Sequence, residues 1–596
     1  MKPYYPVRTY GIFMMLLSCL LLFNSCNKLD YEVPDSSHLL NVSSNPGSTV
    51  VGNVSGFVTD ETDQPVPGAS VQAGNMTTHT DQFGYFEINN TELLQNAAMV
   101  TVQQPGYFKG IKTFIAVVGQ EAFFRIKLIP KSTAGTFNGS LGGTLSLPNG
   151  LNITFMPAGI INATSGESYT GNVNVAAYWI NPVASDLNRI MPGDQRAIAA
   201  DGTLKQLTTF GMAAVELTGA SGELLQIAPG KKATLGVTIP ASILAYAPAT
   251  IPLWYFDEKT GLWSEQGTAV KSGNTYSGDV SHFSFWNFDI SGEFIHLNGT
   301  VTDAAGNPLK NVLVKIALQN NPHAAAYGFT NAQGYFSGAV PANSTLVLEI
   351  TGGAECGTTL YSKTFTTANS DIALGKMIVD AQAGLAGVTG IITDCSGNPS
   401  PYAVVIMQKN GQFYRTKADK NGRYAITTSL CNSTAAVELQ AYDLASAKYS
   451  ETAQYIINTT KTTNADLQAC GNTSSQYINY TINGVSYYFT YPADYFAPVT
   501  PDQYFTFAVS NSNTDEAGFQ FSGADILGNG PKPLSYFMAS QIHDNLIMSS
   551  PVMVNLTEKG ENDQVFAGKF SGIFTGTGTG HKQYNISCSF RVKCTL

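Results

Sequence analysis

Apolar residues recur at every second position along most of this chain, in runs such as VLVKIAL (312–318), AVVIMQK (403–409) and HFSFWNFD (282–289). A period of two sends alternate side chains to opposite faces, so each run predicts a β-strand with one buried face. Gly, Pro, Asn and Asp punctuate the runs at short intervals and predict tight turns. No stretch alternates strands with amphipathic helices as a parallel α/β sheet requires. The expected fold class is all-β, with tandem β-sandwich domains in a multidomain string.

One pattern is written three times. Gly56–Asp60, Gly299–Asp303 and Gly390–Asp394 each read Gly-x-(Val/Ile)-Thr-Asp, with Pro65, Pro308 and Pro399 five residues after the Asp. A second signature follows in each copy: TDQFGYFEI (80–88), TNAQGYFSG (330–338) and ADKNGRYAI (418–426). The chemistry of both is that of a corner. Asp caps a turn through its side chain, Gly or Asn takes positive φ, and Pro fixes the exit. No second carboxylate recurs at a fixed offset from Asp60, Asp303 or Asp394, so cation binding is not expected. The pattern resembles the carboxypeptidase regulatory-like domain over 51–130, 294–380 and 386–470, which implies a seven-stranded sandwich of the Ig-like or transthyretin-like kind. The resemblance implies a spacer, an adhesive unit or an accessory to a catalytic domain.

Between the first and second copies the texture changes. IPLWYFDEKTGLWSEQGTA (251–269) predicts a β-hairpin with Gly261 at the left-handed position and large aromatics beside the turn. Trp254 and Trp263 there are candidate ligand-stacking aromatics, although alternation favours core and hairpin packing for Trp179, Trp254, Trp263 and Trp286. Asp257 and Glu258 are adjacent, so on a strand they face opposite ways and make a poor glycosidase pair. Residues 135–290 resemble an extracellular module of cartilage intermediate layer proteins, akin to the ZU5/UPA β-sandwich pair. That resemblance implies no catalytic residues. Residues 475–596 predict a further β-domain, with hairpins at YINYTINGVSYYFTYP (477–492) and FAGKFSGIFTGTGTGHKQYNISCSFRVK (566–593).

The N-terminus departs from period two. Lys2 and Arg8 precede GIFMMLLSCLLLF (11–23), an apolar run too short to span a bilayer of about 30 Å. It reads as the core of a secretory signal peptide over 1–25. FNSC ends at Cys26 and resembles the lipobox of bacterial lipoproteins, in which the Cys is lipidated. Residues 26–50 then serve as lipid anchor and tether, and Asp30, Glu32 and Asp35 resemble an export signal of Bacteroidetes surface lipoproteins. The expected location is the outer membrane, at the cell surface.

Composition agrees with export. Of 596 residues, 12% are charged and 11% aromatic, and the net charge of −10 is spread without a basic stripe, so nucleic acid is not an expected partner. Cys356, Cys395, Cys431, Cys470, Cys588 and Cys594 are disulfide candidates with fifteen connectivities open. Cys588 and Cys594 share one strand face but lie about 20 Å apart, too far to bond each other. No CxxC, HExxH or GxSxG occurs, and no two His stand at i,i+4. No metal, cofactor or catalytic residue is therefore expected. Two functions fit. One is a non-catalytic cell-envelope lipoprotein that displays β-sandwich modules for glycan or protein binding or as a structural spacer. The other is an exported hydrolase, a peptidase or glycosidase, with accessory β-sandwich domains.

Overall fold

The three written copies fold alike because the same residues build the same corners. This computed structural model describes residues 47–593, except 82, 149, 352–358, 380–384, 431, 444–445, 447, 472–476, 484, 491–503, 512–513, 523–530, 540–541, 543–544, 559–564 and 579. In the first copy the strands are β1 (Thr49–Thr59), β2 (Ser70–Ala73), β3 (Met76–His79), β4 (Tyr85–Leu94), β5 (Ala98–Gln103), β6 (Gly110–Phe114) and β7 (Glu121–Lys127). They form two sheets, ordered β4-β1-β7 and β3-β2-β5-β6. β1 runs antiparallel to β4 and parallel to β7, and the two sheets close over Val54, Val58, Val71, Phe86, Val100 and Ile126. The second copy repeats this around Phe294–Thr302 and the third around Leu385–Thr393. Tandem β-sandwiches are thus what the alternation predicts and what the chain forms.

The parallel ladder differs between copies. In the first it runs unbroken from Asn53↔Glu121 to Thr59↔Lys127. In the third it is split into two short pieces, Val388↔Thr463 to Thr389↔Asn464 and Ile392↔Leu467 to Thr393↔Gln468.

The middle segment builds a 13-stranded sheet system from Thr133–Asn138 to Phe285–Gly292. Its longest strand, Leu204–Thr218, is buried or half-buried along its whole length, because both its faces are covered. One face packs on a core holding Phe155, Val173, Phe210, Tyr276 and Trp286. The other, through Leu207, Met212 and Ala214, joins Trp254 and Trp263 of neighbouring strands against Phe108 and Ile111 of the first copy. The C-terminal segment is a 9-stranded sheet in which Tyr477–Ile482 pairs with Val485–Thr490, and Val565–Gly576 with Gln583–Lys593, both antiparallel as the hairpin strings predict. Asn483 takes φ 50° at the first of these turns. Among the described residues no helix is long and apolar enough to cross a membrane.

Candidate functional site

The repeated acidic residues are consumed by their own turns. Asp60 Oδ1 accepts from the backbone N–H of Thr62 and Gln64 at 2.8 and 2.9 Å. Asp394 does the same for Ser396 and Asn398, and Asp303 accepts from Asn307 at 2.8 Å. The left-handed residue is Gly306 in the second copy, Gly397 in the third and Asp63 in the first. In the second signature Asp81, Asn331 and Asp419 cap the turn in the same manner. Gly84, Gly334 and Gly422 follow at φ 70–72°, where an added Cβ would lie 2.3–2.6 Å from the carbonyl oxygen of Val58, Val301 or Ile392. Only glycine lets the second turn lie this close to the first strand.

Trp254 and Trp263 do not offer a face to any ligand. Both are fully buried, and their Nε1 atoms donate to the carbonyls of Asp289 at 3.1 Å and Asp194 at 2.9 Å. The stacking expectation is corrected for a tertiary reason: the first copy covers the strand face that would otherwise be open. The hairpin tip between them is a plug. Thr113 Oγ1 donates to Gly261 O at 2.6 Å, Lys109 pairs with Glu258, and an added Cβ at Gly261 would meet Met99 Sδ at 2.6 Å. Asp257 Oδ1 accepts from the Lys259 N–H at 2.9 Å, and Glu258 is held by Lys109.

Cys395 and Cys470 form a disulfide across 75 residues. Cys588 is a free thiol, which corrects its place among the disulfide candidates. It is buried in the C-terminal core with Tyr480, Phe570 and Phe590, where burial pushes its thiol well up from the ordinary range. Cys26, Cys356, Cys431 and Cys594 lie outside the described residues.

What sequence reasoning missed is the junction of the three copies. Arg125 of β7 places its guanidinium 5.1 Å from the Phe57 ring, 5.8 Å from Phe123, 5.9 Å from Phe329 and 5.4 Å from Tyr414. It also donates to Phe413 O at 3.0 Å. The first, second and third copies each supply part of this cage. Beside it, Arg415 of the third copy stacks 4.0 Å over Tyr85 and pairs with Glu87, which Lys417 also reaches at 3.0 Å. Burial alone would raise the Glu87 carboxyl, but Arg415 and Lys417 outweigh it and hold it down at about 2. A carboxyl held below its ordinary 4.5 contributes stability that is present above that pH and is lost as pH falls towards 2. The contact between first and third copies is therefore expected to hold at neutral pH and loosen below about pH 4. Small-angle scattering across that range checks this, and a pH-independent radius of gyration would refute it.

A second buried acid, Asp289, lies in the middle module. Burial raises its carboxyl well above 3.8, and Asn287 Nδ2 donates to Oδ2. Among the described residues no three His, Cys, Asp or Glu side chains converge on one point as metal ligands would.

Residues 53–128 match the family model of the carboxypeptidase regulatory-like domain. That regulatory-like stretch is the first copy, including β7 and Arg125. The chain is also similar to cartilage intermediate layer protein 2. It is 28% identical over 123 residues to the human protein, which is 20% of this chain and 10% of that one. To the mouse protein it is 27% identical over 161 residues, 26% of this chain and 14% of that one. The chain thus spans about a tenth of the length of these relatives. Among solved structures, the shaft pilin SpaA of Lactobacillus rhamnosus GG aligns at 12% identity and TM-score 0.18, over 30% of this chain and 98% of the pilin. The Bacillus anthracis TIE protein aligns at 12% identity and TM-score 0.14, over 58% and 72%. Superpositions this loose carry nothing about function.

Proposed function

We propose that this chain is a non-catalytic cell-envelope lipoprotein, tethered to the outer membrane by acyl chains on Cys26, whose β-sandwich block presents a binding surface for glycan or protein or holds other components at a distance. The observation that supports it best is the Arg125 cage. A chain meant only to link ends would leave its modules independent, whereas here residues 57, 123, 329 and 414 meet on one guanidinium. Rigid coupling keeps loop tips and sheet edges in fixed relation, which a display scaffold needs. The repeated carboxylates support the same reading, since each is engaged by its own turn. Two or three acyl chains would give stable anchoring, at about 0.8 kcal/mol per buried CH₂.

The test has two arms. Cells fed an alkyne-tagged palmitate should label the full chain, and the Cys26→Ser variant should lose the label; an unlabelled wild type refutes the anchor. The soluble fragment 27–596 should then show saturable binding on a glycan and envelope-protein array. A blank array removes the ligand-display role and leaves the spacer.

A further inference from the structure

A cavity of about 240 Å³ lies where the first copy, the middle module and the second copy meet. Its walls come from β6 and β7, from residues 187–196 with Gln206, and from the strands Asn321–Phe329 and Tyr335–Pro341. Two cations in the wall are buried: Lys112 is 6% exposed and Arg196 1%. Lys112 Nζ donates to the main-chain carbonyls of Asn188 and Met191 at 2.8 and 2.6 Å, which are neutral partners. Burial lowers its amine to about 7, with Asp194 opposing the shift and Arg189 adding to it. Arg196 uses Nε on Asp194 at 2.7 Å and Nη1 on Asn96 O. Its buried Nη2 has no hydrogen-bond partner among the described residues.

Gln206 is the cross-strand partner of Arg196. It is 7% exposed, its Nε2 donates to Ala339 O at 3.0 Å, and its buried Oε1 likewise has no partner among the described residues. Cross-strand partners project to the same face. A donor without an acceptor and an acceptor without a donor thus belong to two cross-strand neighbours, both of which line the cavity. The charges are also uneven. The wall carries three cations, Lys112, Arg125 and Arg196, against two carboxylates, Glu121 and Asp194. Buried charge without a full counter-charge is costly, and an incoming anion relieves that cost.

We infer that this cavity binds a small hydroxylated carboxylate, a sugar acid in its simplest form. The carboxylate accepts from Arg196 Nη2, and a neighbouring hydroxyl donates to Gln206 Oε1. The opposite wall is built to admit a ring. Tyr327 and Phe329, two apart on the strand Asn321–Phe329, share one face and both line the cavity, and Tyr327 is 38% exposed. A sugar ring sets its C–H face on such a surface and keeps its polar edge for the other side. This inference names a ligand class for the glycan-binding reading above and rests on it.

The experiment is calorimetric titration of the 27–596 chain with D-glucuronate, with glucose as the uncharged control and acetate as the bare carboxylate. Glucuronate should bind saturably, with glucose and acetate at least about tenfold weaker, the loss expected for one charged or polar contact. Tyr327→Ala removes the ring face at a part-exposed position, so it should weaken glucuronate binding about tenfold with the melting temperature unchanged. Gln206→Leu should weaken glucuronate about tenfold and leave acetate as it was. No glucuronate binding, or equal binding by Tyr327→Ala, overturns the assignment. The glycan and protein array separates the two levels: if other ligands still bind, the cavity assignment falls and the display reading stands; if the array is blank too, both fall.

Discussion

The double variant Cys395→Ser, Cys470→Ser should lose about 4 kcal/mol of stability in the third copy. The bond closes a 75-residue loop, long enough for the loss of chain entropy in the unfolded state to be near its maximum. Its position explains why it is needed there. Cys395 follows the strand Leu385–Thr393 by two residues, and Cys470 follows Leu467–Gln468 by two. These are the partners of the split parallel ladder, which has four residue pairs where the first copy has seven. The covalent stitch holds together the edge that hydrogen bonds hold elsewhere. For a domain of this size the expected fall in Tm is roughly 15 °C or more. Scanning calorimetry of wild type and variant decides it, and a third-copy transition within 3 °C or so of wild type would rule the account out.

Arg125→Ala should cost about 3 kcal/mol of inter-module contact and release the third copy from the first. Each ring contributes roughly 0.5–2 kcal/mol to a cation held against it, and the contributions to one guanidinium are not fully additive. Arg125→Lys should not restore the contact. An ammonium is a compact, strongly hydrated charge that cannot lie flat between four rings and still donate to Phe413 O. Limited proteolysis and small-angle scattering read the outcome: faster cleavage between the second and third copies and a larger radius of gyration in both variants. Wild-type scattering from Arg125→Ala would show that the cage is incidental to docking.

The corners were legible because everything that makes them lies within a few residues. Asp394, Gly397 and Pro399 spell out their turn in one line, and the capping distances follow from the backbone they impose. Asp63 shows the margin of that legibility: it takes the left-handed position of Gly306 and Gly397, as Asp is able to do, with no glycine to announce it. The cysteines were legible only as a set. Their spacing left fifteen pairings open, and the bond between Cys395 and Cys470 needed the register that brings the two strand ends together. Trp254 and Trp263 mark where local reading fails. Alternation says one face of a strand is buried, but it does not say that a second domain lies over the other. Arg125 sits in EAFFRIK, where it reads as an ordinary solvent-facing residue of β7.

Taken alone, the order of residues determined the all-β class, the three matching corners, the hairpins at 251–269 and 566–593, and the absence of the common catalytic signatures. Tertiary structure alone decided that the copies lock on Arg125, that the first copy covers Trp254 and Trp263, and that Lys112, Arg196 and Gln206 line one cavity. The division has a physical cause. Turn capping and strand alternation are set by neighbours in the chain, so they are written where they act. A contact between residues 125 and 414 depends on which covered faces meet after each sandwich has formed, and nothing local to either residue records the other.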